Sequence, residues 1–212
     1  MKVGIVNVTG YAGSELARIL HRHPGAEITS VTGRSAAGKR LPEVLPHLWR
    51  LDLPITRTVE GSVDVVFSTL PSGASAEVLA PMVDGGVRAI DIAADFRLHD
   101  PAEFKRAYNT DHPAPHLLEK AVYGLPEIHR EAISRTHLVA NPGCYPEATI
   151  LALAPAVREG LVVDDVVVDA KSGISGAGRG GVASNNSNDL FAEANENIIA
   201  YGLDGHGHQP EI

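Results

Sequence analysis

Apolar residues in the first 140 positions form short runs that alternate with stretches of helical character. Strands are predicted at residues 3–8, 27–33, 63–69, 87–92 and 136–140, with a weaker one at 122–123. Helices are predicted at residues 10–23 and 74–84, and again at 147–157. Strands and helices that alternate at this spacing are typical of a doubly wound parallel sheet with right-handed crossovers. We therefore expect an α/β domain over residues 1–143.

The pattern changes after residue 160. Residues 162–170 are strongly β-branched and are predicted to form a strand, whereas residues 172–188 are rich in Ser, Gly and Asn and too polar for a core. This change indicates a second domain, a partial α+β unit over residues 144–212, whose first helix begins close to Cys144.

Composition excludes several classes of partner. The chain has 21% charged residues, a formal net charge of −8 and no block of Lys or Arg, which argues against nucleic acid or an anionic membrane. Its single cysteine cannot form an internal disulfide, which favours a reducing compartment. We find no signal-peptide pattern and no apolar run of about 18 residues, so we expect a cytoplasmic protein without a membrane span.

That single cysteine, Cys144, lies in the segment Asn141-Pro142-Gly143-Cys144-Tyr145-Pro146, between a predicted strand and a predicted helix. Proline is favoured at the first helical position, so we expect Cys144 at or near the N-cap. The unpaired N–H groups and the helix dipole at that end favour an anion and lower a thiol pKa. A nucleophilic thiolate is one interpretation, and a small buried residue at a tight corner is the other.

The turn after the first predicted strand is a candidate dinucleotide site. It contains Thr9, Gly10, Tyr11, Ala12 and Gly13 and leads into a helix. Small residues let backbone amides approach a pyrophosphate, and the helix offers its positive end. Only the last two glycines of the common G-x-G-x-x-G pattern are present, so the position of the turn in the first strand–turn–helix unit is what strengthens the prediction.

The end of the second predicted strand indicates which dinucleotide binds. Arg34 and Ser35 occur where an acidic residue would hold an adenosine 2′-hydroxyl. An arginine and a hydroxyl without a carboxylate suit a 2′-phosphate. We therefore expect NADP rather than NAD, and a solvated basic loop is the alternative.

Several segments together resemble the N-acetyl-gamma-glutamyl-phosphate reductases of arginine biosynthesis, which are similar in layout to the aspartate-semialdehyde dehydrogenases. The resemblance runs from end to end in the family's order and is carried by these segments: residues 10–16 (GYAGSEL), 70–75 (LPSGAS), 91–98 (DIAADFRL), 123–127 (YGLPE), 140–146 (ANPGCYP), 171–179 (KSGISGAGR), 195–201 (NENIIAY) and 206–212 (HGHQPEI).

The resemblance implies a role for residues matched to the family's motifs. It makes Cys144 the nucleophile and the pair His206 and His208 the source of the acid/base. Implied substrate or phosphate contacts are Arg97, Asn141, Ser172, Gly173, Ser175, Arg179 and Glu196. The nicotinamide half of NADP is expected near Pro71, Ser72 and Ser75 and near Gly176 and Gly178. The implied partners are a small acyl-phosphate substrate and, for a full-length chain, further copies of the protein.

The chain departs from the family's pattern at four points. Asn7-Val8 replaces the usual Gly-Ala, although Asn tolerates a left-handed backbone. Gly207 replaces an arginine between the histidines, and Glu147 replaces a threonine and adds negative charge near the thiol. The sequence ends at Ile212, before the family's second domain is complete. We therefore expect these 212 residues to bind NADP, to turn over little and to associate through an uncovered edge at 162–170.

The implied chemistry is the reduction of an acyl phosphate. A thiolate expels phosphate to give a thioester, hydride from NADPH reduces it, and a histidine handles the protons. Within this class, N-acetyl-aminoadipyl-phosphate reductase and aspartate-semialdehyde dehydrogenase remain open. A Cys/His acyl hydrolase and a non-catalytic NADP-binding module are the alternatives from other classes. His206, His208 and Glu211 also have the spacing of a metal site, but no Cys/His cluster supports it, so we expect no metal.

Overall fold

A single parallel sheet forms the centre of the protein, as described by a computed structural model for residues 1–161, 165–182 and 191–212. Its strands are β1 (Lys2–Val6), β2 (Glu27–Thr32), β3 (Ile55–Thr56), β4 (Val65–Ser68), β5 (Arg88–Asp91), β6 (Val122–Tyr123) and β7 (Leu138–Ala140). Their order is β3-β2-β1-β4-β5-β7-β6, and every pair is parallel. The predicted doubly wound α/β sheet is confirmed.

Helices connect these strands and continue beyond the sheet. They are α1 (Tyr11–Leu20), α2 (Leu41–Val44), α3 (Ser75–Asp84), α4 (Pro101–Tyr108), α5 (Pro126–Arg135), α6 (Cys144–Arg158), α7 (Gly178–Val182) and α8 (Phe191–Ala194). Because all the strands run in one direction, the loops that follow them meet at the carboxyl edge of the sheet. In open α/β sheets this edge is where ligands bind.

Two apolar clusters hold the sheet and its helices together. The first joins β1 and β2 to the segment before β3 through residues such as Ile5, Val31, Leu41 and Ile55. The second joins β4, β5 and β7 to α3 and to the segment at 115–120, through residues such as Val66, Leu79, Phe96 and Leu117. The side chains named here are fully buried, and this packing fixes the loop ends at the carboxyl edge.

Several predicted element bounds needed correction. Strand β1 ends at Val6, because Asn7 has a φ of 64° and turns the chain out of the extended conformation. Strand β3 was not predicted, since it is only two residues long. Helix α4 was also not predicted; it begins at Pro101, where the Asp100 side chain accepts a hydrogen bond from the Ala102 amide.

The predicted strand at 162–170 is wrong over the part that the structure describes. Residues 165–170 belong to no strand, and Val167 is 92% exposed. β-branching favours extended backbone, but a strand also needs a hydrogen-bonded neighbour, and no described segment pairs with this one. Residues 162–164 lie outside the described part of the chain, as do 183–190.

The stretch at 172–188, which was predicted to be too polar for a core, contains short helical pieces over its described part, residues 172–182. A 3₁₀ turn covers Ile174–Ala177, and α7 follows it directly. No helix in the described ranges has both the length and the apolar character needed to cross a bilayer.

Candidate active site

A cleft of about 1450 Å³ runs along the carboxyl edge of the sheet. Its walls come from the loops after β1, β2, β3, β4 and β5, and from residues 176–180 and 206–208. Its volume exceeds the roughly 300–1,000 Å³ of a typical small-ligand pocket. An extended ligand of dinucleotide size therefore fits the cleft.

The loop after β1 forms the floor of this cleft. Thr9, Gly10, Tyr11 and Ala12 line it, and α1 begins at Tyr11 with no acidic residue in its first turn. Gly13 lies against the turn instead, where an added Cβ would come within 2.4 Å of the Asn7 carbonyl oxygen. The left-handed Asn7 fixes the turn further, because its side-chain amide donates to the Thr69 carbonyl at 2.8 Å. This helix start suits a pyrophosphate.

Arg34 and Ser35 line the end of the cleft beyond β2. Both are exposed and form a short 3₁₀ turn after Gly33. Their side chains are therefore accessible to a ligand in the cleft, which leaves the predicted 2′-phosphate contact available.

The loop after β4 contributes Pro71 and Ser72 to the cleft wall, but Ser75 is a correction. Ser75 is fully buried; its hydroxyl donates to the Asp91 carboxylate and shares a second hydrogen bond with Ser68 Oγ at 2.7 Å, which the Ser68 hydroxyl can donate. Because this hydroxyl is engaged inside the fold, Ser75 supports the loop rather than lining the cleft.

Two buried aspartates hold that loop, and neither was singled out from the sequence. The Asp95 carboxylate accepts hydrogen bonds from the amides of Gly73, Ser75 and Ala76, at 2.7, 3.0 and 2.9 Å. Burial raises the pKa of Asp91 to about 7, although its bond from Ser75 opposes the rise. The sequence signal was present in the segment DIAADFRL, but nothing in it distinguished structural from ligand-binding carboxylates.

Cys144 is the first residue of α6, and Gly143 is its N-cap. The helix begins earlier than predicted, so Pro146 is its third residue. The N–H of a residue in the first turn has no intrahelical partner, so a proline there costs no hydrogen bond. The cysteine is exposed and lines a groove of about 470 Å³ between α6 and residues 166–172. Ser172 lines the same groove.

His206 and His208 lie beside this helix start. Their rings are 4.8 Å apart, and each ring meets Tyr145 edge to face, at 5.5 and 5.7 Å. His208 packs on the cysteine turn itself, since an added Cβ on Gly143 would be 2.6 Å from His208 Nε2. Both histidines line the large cleft, so they connect it to the cysteine.

The two histidines differ in their hydrogen bonds. The His208 backbone amide donates to His206 Nδ1 at 3.1 Å, so a neutral His206 carries its proton on Nε2. His208 Nδ1 is buried and has no partner among the described residues. Burial lowers the pKa of His208, and the nearby Glu211 opposes that shift. His208 is therefore neutral near pH 7.

Arg97 lines the large cleft, and its guanidinium is also held within the fold. It donates to the Asn141 carbonyl at 2.8 Å and the Ile92 carbonyl at 3.0 Å, and it forms a buried ion pair with Glu211 at 2.8 Å. Its side chain is only 6% exposed. These contacts fix the guanidinium at the cleft, and a substrate contact by Arg97 stays a prediction.

Glu211 had been considered only as a possible metal ligand. Its carboxylate instead accepts hydrogen bonds from the Gly143 amide at 3.1 Å and the Tyr123 hydroxyl at 3.2 Å, besides pairing with Arg97. It therefore ties the histidine segment to the cysteine turn. Within the part of the chain that is described, no group of three potential ligands could hold a metal.

The remaining predicted residues are spread around the site. Gly176, Gly178 and Arg179 line the large cleft, and the Arg179 guanidinium lies 5.3 Å from the centre of the Tyr11 ring, on the dinucleotide side. Asn141 belongs to the cysteine turn. Gly173, Ser175 and Glu196 are exposed and line neither cavity.

The sequence matches two family models. Residues 2–136 match "Semialdehyde dehydrogenase, NAD binding domain", and residues 144–212 match "Semialdehyde dehydrogenase, dimerisation domain". The chain belongs to the semialdehyde dehydrogenase family. Among the described residues, the family's first domain corresponds to the sheet, and the second begins at Cys144.

Three curated relatives are named N-acetyl-gamma-glutamyl-phosphate reductase. Those of Dehalococcoides mccartyi, Desulforudis audaxviator and Pseudomonas paraeruginosa are 54%, 48% and 45% identical to this chain, over its whole length. The chain spans only 61–62% of their length.

Solved structures of the family share the fold at low sequence identity. Aspartate semialdehyde dehydrogenase II of Vibrio cholerae, complexed with ASA, is 20% identical, with a TM-score of 0.62 over 85% of this chain and 49% of its own. The Candida albicans enzyme with NADP is 19% identical, with a TM-score of 0.53 over 77% of this chain and 48% of its own.

Proposed function

We propose that this chain carries the cofactor site and the nucleophile of an NADPH-dependent N-acetyl-gamma-glutamyl-phosphate reductase. The enzyme reduces N-acetyl-glutamyl 5-phosphate to N-acetyl-glutamate 5-semialdehyde. One observation carries the proposal: an exposed cysteine begins a helix, and His208, which packs against the preceding Gly143, lines a dinucleotide-sized cleft. The shared name of relatives at 45–54% identity supports the substrate.

Cys144 acts as the nucleophile in this scheme. Its thiolate attacks the acyl-phosphate carbonyl, the carbon–oxygen bond to phosphate breaks, and a thioester remains. The exposed thiol can reach a substrate lying in the groove between α6 and residues 166–172. After reduction of the thioester, the tetrahedral adduct on sulfur collapses to the aldehyde and returns the thiolate.

The residues around the cleft fit NADPH, which supplies the hydride for the reduction when bound. The tight turn at Gly13 and the acid-free start of α1 suit its pyrophosphate, and Arg34 with Ser35 suits its 2′-phosphate. Pro71, Ser72 and Gly176 line the same cleft as the two histidines. These are the residues expected to hold the nicotinamide half.

His208 is the better candidate for the acid/base. His206 Nδ1 is occupied by the His208 amide, so forming the imidazolium there would break a hydrogen bond. His208 is neutral because burial lowers its pKa, and it lies against Gly143, next to the nucleophile. It can accept the thiol proton and later return a proton to the substrate oxygen.

A reverse-direction assay tests the reaction. The assay uses a protein that contains this chain and extends to the full length of its relatives. N-acetyl-glutamate semialdehyde, phosphate and NADP are supplied, and NADPH formation is followed by absorbance. Cys144→Ser is expected to abolish turnover while NADPH affinity stays within about twofold, since the thiol is not a cofactor contact. Turnover like that of the wild type in this variant would contradict the mechanism.

Assays of the same preparation also separate the alternatives. N-acetyl-aminoadipate semialdehyde and aspartate semialdehyde, offered in parallel, distinguish the related reductases. NADP binding without turnover of any of them would favour a non-catalytic binding module. We further propose a cytoplasmic homo-oligomer, because the single cysteine favours a reducing compartment and residues 144–212 match a dimerisation domain.

A further inference from the structure

We propose that Arg57 is a second arginine of the 2′-phosphate subsite and that it determines cofactor choice together with Arg34. The inference rests on the proposed use of NADP. It adds a residue from the loop after β3 to the loop after β2 that the sequence had indicated. Arg57 lines the same cleft as Arg34 and Ser35.

The strand register brings the two arginines to one place on the sheet edge. Strands β2 and β3 are parallel neighbours, with Thr32 opposite Thr56, and the Gly33 amide continues the ladder by donating to the Thr56 carbonyl at 3.0 Å. Arg57 follows Thr56 directly, just as Gly33 and Arg34 follow Thr32. Neighbouring strands lie about 4.8 Å apart, so both side chains can reach one phosphate group.

The turn that carries Arg57 is held by its own hydrogen bonds. The Thr56 hydroxyl donates to the Thr58 carbonyl at 2.7 Å and is within 3.3 Å of the Val31 carbonyl on β2. Thr58 also lines the cleft. The backbone position of Arg57 is therefore fixed relative to β2 before any ligand binds, which lowers the entropy cost of binding.

Charge at this end of the cleft is uncompensated. Arg34 and Arg57 are both exposed, and neither forms an ion pair with any described residue. Among the described residues that line the cleft, the acidic one is Glu77. It lies in α3, which follows β4, and β1 separates β4 from the strands that precede the two arginines. Two arginines without a local carboxylate are suited to a phosphate monoester, which carries nearly two negative charges at pH 7.

The test compares NADPH and NADH binding to the 212-residue chain by nucleotide fluorescence. Arg57→Gln is expected to raise the Kd for NADPH about tenfold and to change the Kd for NADH less than about twofold. Tenfold is the lower end of the range for losing one charge-assisted hydrogen bond, because the site is exposed. Arg57→Lys keeps the positive charge but lacks the planar guanidinium, so its Kd for NADPH should lie between those of the wild type and Arg57→Gln. Arg130→Gln is the matched control, an exposed arginine on α5 beside the opposite edge strand β6.

The outcomes separate this inference from the function on which it rests. A preference for NADPH that survives Arg57→Gln overturns the role of Arg57 but leaves the NADP proposal intact. An equal loss for NADPH and NADH also overturns it, because the arginine would then contact the adenine or the pyrophosphate. If the wild-type chain binds neither nucleotide, both proposals fall. A loss confined to NADPH, absent from Arg130→Gln, supports the two-arginine subsite.

Discussion

Removal of the Glu211 carboxylate is expected to destabilise the protein strongly. The Glu211 side chain is fully buried, and the side chain of its partner Arg97 is only 6% exposed. Breaking a buried ion pair from one side leaves an uncompensated charge and costs about 3–5 kcal/mol. We therefore expect Glu211→Ala to lower the free energy of unfolding by about 3 kcal/mol or more.

The assay is urea denaturation followed by far-UV circular dichroism, with the free energy of unfolding extrapolated to water. Asp111→Ala is the matched control, since Asp111 pairs with Lys105 at 2.8 Å while both side chains are largely exposed. Exposed pairs contribute about 0–1 kcal/mol. Glu211→Gln should lie between the two, because its amide oxygen can still accept from Gly143.

A loss below about 1 kcal/mol for Glu211→Ala, equal to that of Asp111→Ala, would refute the reasoning. It would mean that the histidine segment is not held against the cysteine turn by this carboxylate. The position of His208 beside Cys144 would then need another explanation.

Two further substitutions test the site and the loop that supports the cofactor. Gly143→Ala puts a methyl group 2.6 Å from His208 Nε2 and 2.9 Å from an Arg97 nitrogen, so the histidine must shift. We expect kcat in the reverse-direction assay to fall at least about tenfold while NADPH affinity stays unchanged. A kcat equal to that of the wild type would contradict the packing. Asp91→Asn tests the pH dependence of stability by urea denaturation. The pKa of Asp91 is about 7 in the folded protein and about 3.9 in the unfolded chain, so the folded state binds this proton more tightly. The free energy of unfolding of the wild type should therefore fall as pH rises from about 4 to 7, by at most about 1.4 kcal/mol per pH unit. The variant should lack that slope, and parallel profiles would exclude Asp91 as its source.

The sheet could be predicted because its physical signal is local. Each buried parallel strand is an apolar run, and each turn to a helix contains small residues, so the alternation is visible within windows of about 10 residues. The same reasoning found the cysteine turn, since the strand and helix on either side of Gly143 were both visible. Strand β3 gave no such signal, and the position of Arg57 depended on it.

The parts of the site that were missed depend on contacts between distant segments. Arg97 and Glu211 are 114 positions apart, and neither has a neighbour in sequence that indicates the other. The ion pair of Arg97 with Glu211 was therefore not predicted. Ser75 was misread for a similar reason, because its hydroxyl bonds to Asp91 on the next strand. The β-branched stretch at 162–170 failed differently, since intrinsic preference does not make a strand without a neighbouring one.

The contacts of Glu211 also limit how the site can stabilise an oxyanion. The Gly143 amide is occupied, because it donates to Glu211. Pro146 has no amide hydrogen, and the Glu147 amide donates to the Gly143 carbonyl at 2.9 Å. The donors left at the start of α6 are the amides of Cys144 and Tyr145. In the proposed mechanism, these two amides are therefore the backbone donors at the start of α6 that an oxyanion formed by attack of the Cys144 sulfur can use.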